Sequence, residues 1–222
     1  MQILNNLDPY IIILISLFFS FLTTIFLIPI TKSLGEKFQI FDVPDKRKIH
    51  SKSIVRLGGI PIFLGFLIGL LSVSFTDLFQ PYSLENISSF GRILILLASV
   101  IFLLGLSDDL LKLSPCFRLI FQFLLASIAW FYDLRINNLE FAFLSNNYQI
   151  NFPMILSFLI TVFWIVGIIN AFNWMDGADG LASGFLIISS ISFLIIESFN
   201  GSQYLLTIIT SLIGSVSAFL IF

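Results

Sequence analysis

Long apolar segments alternate with short polar ones along the whole chain. Because an α-helix rises about 1.5 Å per residue, roughly 20 apolar residues are needed to cross the hydrocarbon core of a membrane. The pattern predicts an all-α fold, a polytopic transmembrane helical bundle of about seven spans. No internal repeat or long linker interrupts it, so residues 1–222 are expected to form a single transmembrane domain. The predicted spans are 9–30, 57–75, 90–106, 117–132, 152–172, 181–196 and 204–222.

Composition supports this picture and excludes several classes of protein. The chain has 11 Lys or Arg and 13 Asp or Glu among 222 residues, and 58 % of its residues are hydrophobic. Its charged fraction of 11 % is less than half of the roughly 25 % found in soluble domains. A water-soluble globule, a disordered chain and a nucleic-acid-binding domain are therefore excluded. With one cysteine, Cys116, and one histidine, His50, the chain also lacks the residues for a disulfide framework or a multi-histidine metal site.

The placement of the basic residues predicts an orientation in the membrane. Lysines and arginines accumulate in short cytoplasmic loops. Nine of the eleven follow the first or third predicted span, whereas Arg92 and Arg135 lie on the other side. We therefore expect the N-terminus outside the cytoplasm and the loops after spans one, three and five inside. The nine are Lys32, Lys37, Lys46, Arg47, Lys48, Lys52, Arg56, Lys112 and Arg118.

Two groups of polar residues lie at the inner ends of predicted spans. Asp108 and Asp109 end the third span, and adjacent carboxylates repel unless a cation lies beside them. Such a pair suits a hard divalent ion such as Mg²⁺, which takes oxygen ligands. On a continuous helix, Lys112 would share a face with Asp108, four residues earlier. The second group, at the end of the fifth span, consists of Asn170, Asn173, Asp176 and Asp179 at intervals of three residues.

The loop after the first span has the character of an anion site. Lys48, His50 and Arg56 lie close together in it, and Gly58-Gly59 opens the second span. Bare backbone amides at a helix start can approach a phosphate. Basic residues, carboxylates and Mg²⁺ together are the parts of phosphoryl or phosphosugar transfer.

Simpler interpretations of each feature remain open. A basic loop also serves as a topology determinant or a contact for anionic lipid head groups. Asp108-Asp109 also suits a solvated helix end, whereas the polar series from Asn170 is costly at an apolar boundary without partners. Gln122 within the fourth span suits a hydrogen bond between helices, and the Gly65-x-x-x-Gly69 spacing suits close helix packing.

Four motifs together resemble the polyprenyl-phosphate N-acetylhexosamine-1-phosphate transferases. This family includes the undecaprenyl-phosphate GlcNAc-1-phosphate transferases and the phospho-MurNAc-pentapeptide translocase, which are integral enzymes of the bacterial inner membrane. The forms Arg-Lys-x-His and Leu-Ser-Pro-x-x-Arg-Leu are closer to the GlcNAc-type and O-antigen branch. The motifs are Asp42-Val-Pro-Asp-Lys-Arg-Lys48-Ile-His50 with Arg56-Leu-Gly-Gly59, Gly105-Leu-Ser-Asp108-Asp109-Leu-Leu-Lys112-Leu-Ser-Pro115, Arg118-Leu-Ile-Phe-Gln122, and Asn170-Ala-Phe-Asn173-Trp-Met-Asp176-Gly-Ala-Asp179-Gly-Leu-Ala.

The resemblance implies a reaction at the cytoplasmic face. A lipid phosphate oxygen attacks the sugar-bonded phosphorus of a UDP-N-acetylhexosamine, UMP leaves, and cell-envelope polysaccharide synthesis begins. The implied cofactor is Mg²⁺, with Mn²⁺ as the alternative, and the implied partners are the UDP-sugar, undecaprenyl phosphate and membrane lipid, with a homodimer left open. Asp108 and Asp109 would be catalytic and, with Asn173, near the metal. The substrate-binding residues would be Lys48, His50, Arg56, Lys112, Asn170, Asp176 and Asp179.

The chain departs from this family in its length. Family members continue for three or four further spans, with a later metal-binding aspartate and a cytoplasmic histidine motif, whereas this sequence stops at Phe222. An inactive or incomplete fragment is therefore the main alternative to the enzyme. A transporter is the second, although the paired acids lie at span ends rather than in mid-membrane.

Overall fold

The computed structural model describes residues 9–42, 54–76, 89–143, 146–175, 180–200 and 203–222. Within these ranges seven α-helices account for the seven apolar stretches, which confirms the predicted all-α polytopic fold. Helices α1, α2, α3, α5 and α6 are long and apolar enough to cross a membrane, and α4 and α7 are shorter apolar helices. The helices are α1 (Pro9–Lys37), α2 (Gly59–Thr76), α3 (Ser89–Leu111), α4 (Pro115–Phe131), α5 (Met154–Met175), α6 (Leu181–Asn200) and α7 (Gln203–Phe219).

Several helices extend beyond the apolar stretches that predicted them. The third stretch ends at Leu106, but α3 continues through Asp108 and Asp109 to Leu111. Helical hydrogen bonds join backbone groups, so they continue into polar sequence after the apolar run has ended. Likewise α1 continues past Ile30 to Lys37. The polar ends of both helices are thereby held in regular structure.

Two small antiparallel sheets were not predicted from the hydrophobic pattern. Strands β1 (Phe41–Asp42) and β2 (Ile54–Val55) pair just before a 3₁₀ turn, Arg56–Gly58. Strands β3 (Asn138–Phe143) and β4 (Asn146–Asn151) form a hairpin between α4 and α5. The hairpin contains alternating polar and apolar residues, which is a strand pattern of period two.

The backbone contacts divide the chain into two compact units. Unit 1 takes in the described parts of Met1–Ile87 and Met175–Phe222, and unit 2 those of Ser88–Trp174. In unit 1, α1 packs on α2 and α7 through very small residues. Ser20 and Thr24 of α1 are fully buried, and a side chain at Gly65 of α2 would collide with Thr24. The Gly65-x-x-x-Gly69 prediction of close helix packing is confirmed, since both glycines face α1.

Unit 2 contains α3, α4, α5 and the β3–β4 hairpin. Its core has two parts, Leu97 with Leu125 and Ala129 between α3 and α4, and a second cluster between α4 and α5. That second cluster consists of Ala126, Val162 and Val166. The α4–α5 pair is antiparallel, because the C-terminal Trp130 of α4 donates to Ser157 near the start of α5, at 3.1 Å. The start of α4 consequently meets the end of α5.

Candidate active site

A sharp corner between α3 and α4 holds the first group of predicted site residues. Lys112 adopts a left-handed backbone conformation, φ 52°, and its N–H donates to the Asp108 carbonyl at 2.8 Å. This bond is the usual left-handed termination of a helix. Ser114 then caps α4 by accepting from the Phe117 N–H at 3.2 Å, and Pro115 occupies the first helical position, where its missing N–H costs nothing. Lys112 is therefore outside the helix, contrary to the shared face that its spacing from Asp108 predicts.

The corner brings a cation against the aspartate pair. Arg118, in the first turn of α4, donates through Nη1 to Asp108 Oδ2 at 2.6 Å. The two side chains are 31 % and 24 % exposed, so water only partly screens their attraction. Successive residues on a helix are about 100° apart. Arg118 contacts Asp108, and the Cβ of Asp109 projects from α3 about 100° further round the helix.

A second polar contact joins α4 to the end of α5. The Asn170 Nδ2 group donates to Gln122 Oε1 at 2.6 Å and to the Val166 carbonyl at 2.8 Å. Gln122 is buried, and the predicted hydrogen bond between helices is confirmed. Because both amide hydrogens of Asn170 have acceptors, a ligand at this residue would meet its Oδ1 atom. Asn173, one turn further along α5, is exposed.

Five of the predicted site residues lie at the same end of unit 2, where α3 ends, α4 begins and α5 ends. Arg56 belongs to unit 1, in the 3₁₀ turn before α2. The roles assigned to Lys48, His50, Asp176 and Asp179 stay predictions, because these four fall outside the described residues. The five predicted site residues at that end of unit 2 are Asp108, Asp109, Lys112, Asn170 and Asn173.

The donors at this end suit a hard cation, although they do not by themselves make a complete site. Mg²⁺ takes carboxylate and amide oxygens, and Asp109, Asn170 Oδ1 and Asn173 supply such groups. Among the described residues there is no cluster of three or more His, Cys, Asp or Glu that could hold a metal ion. The predicted acids Asp176 and Asp179 follow α5 directly but are not among those residues. The predicted use of Mg²⁺ is compatible with this donor chemistry and stays a prediction.

A cavity of about 540 Å³ within unit 2 lies at the opposite end from these residues. Its walls are apolar, with Leu97 and Leu125 among them, and Asp133 and Arg135 border it beyond the end of α4. Asp133 and Arg135 form an ion pair of 2.7 Å. The polar helix ends, rather than this apolar space, therefore carry the chemistry that the sequence predicts.

The sequence did not reveal which partners the site residues would have. Arg118 and Gln122 belong to one of the four motifs, yet neither was assigned a role in the site. Both lie on α4 four residues apart, which places them on one face of the helix. That spacing, together with the Ser114-Pro115 helix start, is the signal that could have identified α4 as the support for α3 and α5.

Comparison with known proteins shows the family. The family model described as Glycosyl transferase family 4 matches residues 92–222, more than half of the chain. The chain belongs to this family. The matched region contains all of unit 2 from Arg92 onward, and hence every residue that meets at the candidate site.

Similar proteins of known name agree with this assignment. A Bacillus subtilis (strain 168) protein named "Probable undecaprenyl-phosphate N-acetylglucosaminyl 1-phosphate transferase" is 29 % identical over 210 residues, 95 % of this chain and 55 % of the relative. The Thermotoga maritima undecaprenyl-phosphate alpha-N-acetylglucosaminyl 1-phosphate transferase is 32 % identical over 166 residues, 75 % and 46 % of the two chains.

A third relative has a different printed activity. The phospho-N-acetylmuramoyl-pentapeptide-transferase of Streptococcus pneumoniae (strain CGSP14) is 32 % identical over 167 residues, 72 % of this chain and 49 % of the relative. The chain thus spans about half the length of these three relatives. The fold and the relatives agree that the chain is a multi-pass membrane protein of glycosyl transferase family 4.

Proposed function

We propose that the chain carries the site of a sugar-1-phosphate transferase that acts on a polyprenyl phosphate. The observation that carries this proposal is that Asp108, Asp109, Asn170 and Asn173 all lie at one end of unit 2. Family membership and the printed names of the relatives support the same reaction. The donor is a UDP-N-acetylhexosamine, with N-acetylglucosamine as the sugar, and the acceptor is undecaprenyl phosphate.

In this reaction one phosphorus–oxygen bond forms and another breaks. An oxygen of the lipid phosphate bonds to the phosphorus next to the sugar, and the bond from that phosphorus to the bridging oxygen breaks. UMP leaves, and the sugar remains on the lipid through a diphosphate. When bound, Mg²⁺ would neutralise charge on the diphosphate, and Mn²⁺ has the same preference for oxygen ligands.

The residues of this chain would position the two phosphate groups. Asp109 and Asn173 would hold the metal, with Asp108 beside them, and Lys112 would meet a phosphate from its exposed position after α3. Asn170 would present its Oδ1 to the nucleotide or the metal. Lys48, His50, Arg56, Asp176 and Asp179 keep the substrate-binding roles that the sequence motifs imply.

We further propose that the site faces the cytoplasm of a bacterial inner membrane. Within unit 2, Lys112 and Arg118 lie at the end that carries the predicted site, and Arg92 and Arg135 lie at the other end. An excess of basic residues marks the cytoplasmic side when loops are short. The seven further basic residues after the first predicted span support the same orientation.

The test is a transfer assay with membranes that contain the chain. UDP-GlcNAc, undecaprenyl phosphate and Mg²⁺ should give UMP and a lipid-linked sugar in equal amounts. Asp109→Asn should lower kcat by at least about 100-fold, since it removes a charge from a site that works by charge neutralisation. Chelation with EDTA should abolish turnover, and Mn²⁺ should restore part of it.

Two controls make the assay decisive. Asp133→Asn removes a carboxylate at the other end of unit 2 by the same substitution and should leave kcat unchanged. A second arm extends the chain beyond Phe222 with the remaining part of the Bacillus subtilis relative. Turnover only in the extended chain would favour the incomplete fragment. Full activity of Asp109→Asn in any arm whose unaltered chain turns over would reject the site.

A further inference from the structure

Helix α4 makes a polar contact with each of its two neighbours within its first two turns. Arg118 holds Asp108 of α3 at 2.6 Å, and Gln122 accepts from Asn170 of α5, also at 2.6 Å. The two α4 residues are four apart, so they lie on one face about 6 Å apart along the axis. One face of α4 thus supports residues on both helices that end at the candidate site.

The contact with Arg118 places a cation beside Asp108, one of the two adjacent aspartates. A guanidinium is always charged, and here it compensates the charge of Asp108 directly. Asp109 projects from α3 about 100° further round the helix. The cation beside Asp108 reduces the repulsion that the adjacent carboxylates exert on each other.

The contact with Gln122 determines which side-chain atom of Asn170 is available to a ligand. The Val166 carbonyl can only accept, so the Asn170 atom at 2.8 Å from it must be the NH₂ group. The same NH₂ group donates to Gln122 Oε1, which is on buried Gln122 and has little freedom to move. The Oδ1 atom is consequently turned away from α4, as a cation or a hydroxyl donor would require.

We propose that Arg118 and Gln122 are positioning residues, with Arg118 acting through Asp108 and Gln122 acting through Asn170. In this proposal neither Arg118 nor Gln122 contacts the substrate directly. This inference rests on the proposed transferase function for its effect on turnover. The electrostatic part of it, the compensation of Asp108 by Arg118, can be measured without turnover.

The first experiment measures Mn²⁺ binding to the full chain in detergent by electron paramagnetic resonance. Arg118→Gln removes the cation that holds Asp108, so the Kd for Mn²⁺ should fall by about 3- to 10-fold. That gain should disappear in the double variant with Asp108→Asn, whereas Arg118→Lys should bind as the unaltered chain does. Arg135→Gln removes the matched cation of the Asp133 ion pair at the other end of unit 2 and should change nothing. An affinity that Arg118→Gln leaves unchanged or lowers overturns the proposal.

The second experiment measures kcat and KM in the transfer assay. Loss of a residue that orients a ligand typically costs about 10- to 100-fold, so Arg118→Gln and Gln122→Leu should lower kcat by that factor with KM changed less than about threefold. In the Asp108→Asn background Arg118→Gln should cost nothing more, and in the Asn170→Ala background Gln122→Leu should cost nothing more. Additive losses, or a raised KM with unchanged kcat, overturn the positioning role.

The two experiments separate this inference from the proposed function. If the unaltered chain gives no UMP in either arm of the transfer assay, the transferase proposal fails. The Mn²⁺ result then stands alone, and the tighter binding of Arg118→Gln, lost again with Asp108→Asn, would still support the compensation of Asp108.

Discussion

The two units of the chain differ in the number of polar residues that they bury, and the one buried amide side chain is in unit 2 among the described residues. Of the thirteen buried polar residues in the described part, ten are in unit 1 and all ten are serine or threonine. Unit 2 has three, Gln122, Ser157 and Thr161. Its helix interfaces consist mainly of Leu, Ala and Val.

This difference shows when a polar residue in a membrane helix indicates function. Serine and threonine hydroxyl groups donate to carbonyl groups of their own helix and also reach an adjacent helix, as Thr24 does with the Ser20 carbonyl at 3.0 Å and the Pro61 carbonyl at 3.2 Å. Being small, they also let neighbouring helices approach closely. Arg118 and Gln122 differ in that they contact charged or amide side chains of other helices, namely Asp108 and Asn170. In this protein the short polar side chains serve packing, and the long ones mark the candidate site.

The largest expected effect comes from filling a close contact in unit 1. A Cβ at Gly214 would lie 2.5 Å from the backbone oxygen of Leu17, so Gly214→Ala must push α7 away from α1. We expect the free energy of unfolding to fall by about 3 kcal/mol. Titration of the purified protein with SDS, followed by circular dichroism, would measure the loss.

The matched control is the same substitution elsewhere in unit 1. A Cβ at Gly184 of α6 meets no atom of the described residues within 4 Å. Gly184→Ala should therefore be neutral or stabilise by up to about 1 kcal/mol, because alanine favours helix more than glycine does. Equal losses in both variants would mean that close approach does not hold α1 to α7.

A smaller loss is expected when the interface between α4 and α5 is weakened. Trp130 is 3 % exposed, donates to Ser157 at 3.1 Å and packs edge-on against Phe158. Trp130→Phe removes the hydrogen bond and some volume, and should cost about 1.5 kcal/mol. Trp164→Phe is the control, since Trp164 is 62 % exposed. If the control variant loses as much in the same SDS titration, the Trp130 contacts do not hold this interface.

The smallest effect tests what the hydroxyl groups in unit 1 contribute. The Ser16 and Thr210 oxygens lie 2.6 Å apart, yet hydrogen bonds between membrane helices average only about 0.6 kcal/mol. A double-mutant cycle with Ser16→Ala and Thr210→Val should give a coupling free energy of that size. A coupling above about 2 kcal/mol would show that hydrogen bonding, rather than close packing, joins α1 to α7.

Much of the fold could be predicted because membrane spans depend on local composition. A span must be apolar over its whole length, and each of the seven helices therefore left its own signal. Helix ends could not be predicted as well, because α3 continues through Asp108 and Asp109 after its apolar run has ended. The β3–β4 hairpin was missed because its alternating pattern is short and lies between two strong helical signals.

The sequence names candidate site residues but not their contacts. Asp108 and Asp109 stand out as adjacent carboxylates, and Asn170 and Asn173 as polar residues that are costly at an apolar boundary without partners. The Asp108–Arg118 pair depends on the angle of the corner at Lys112, and the Asn170–Gln122 pair depends on the register of α5 against α4. Neither quantity has a local signature.

The sequence by itself determined the seven apolar segments, the concentration of basic residues after the first and third of them, and the family to which the chain belongs. These properties depend on the composition of single segments, because each membrane span must be apolar over its own length. Only the tertiary structure decided that the cation bound to Asp108 is Arg118 and not Lys112. The tertiary structure also decided that the NH₂ group of Asn170 donates to Gln122. Such contacts join residues of different helices, so they depend on how the helices turn and pack.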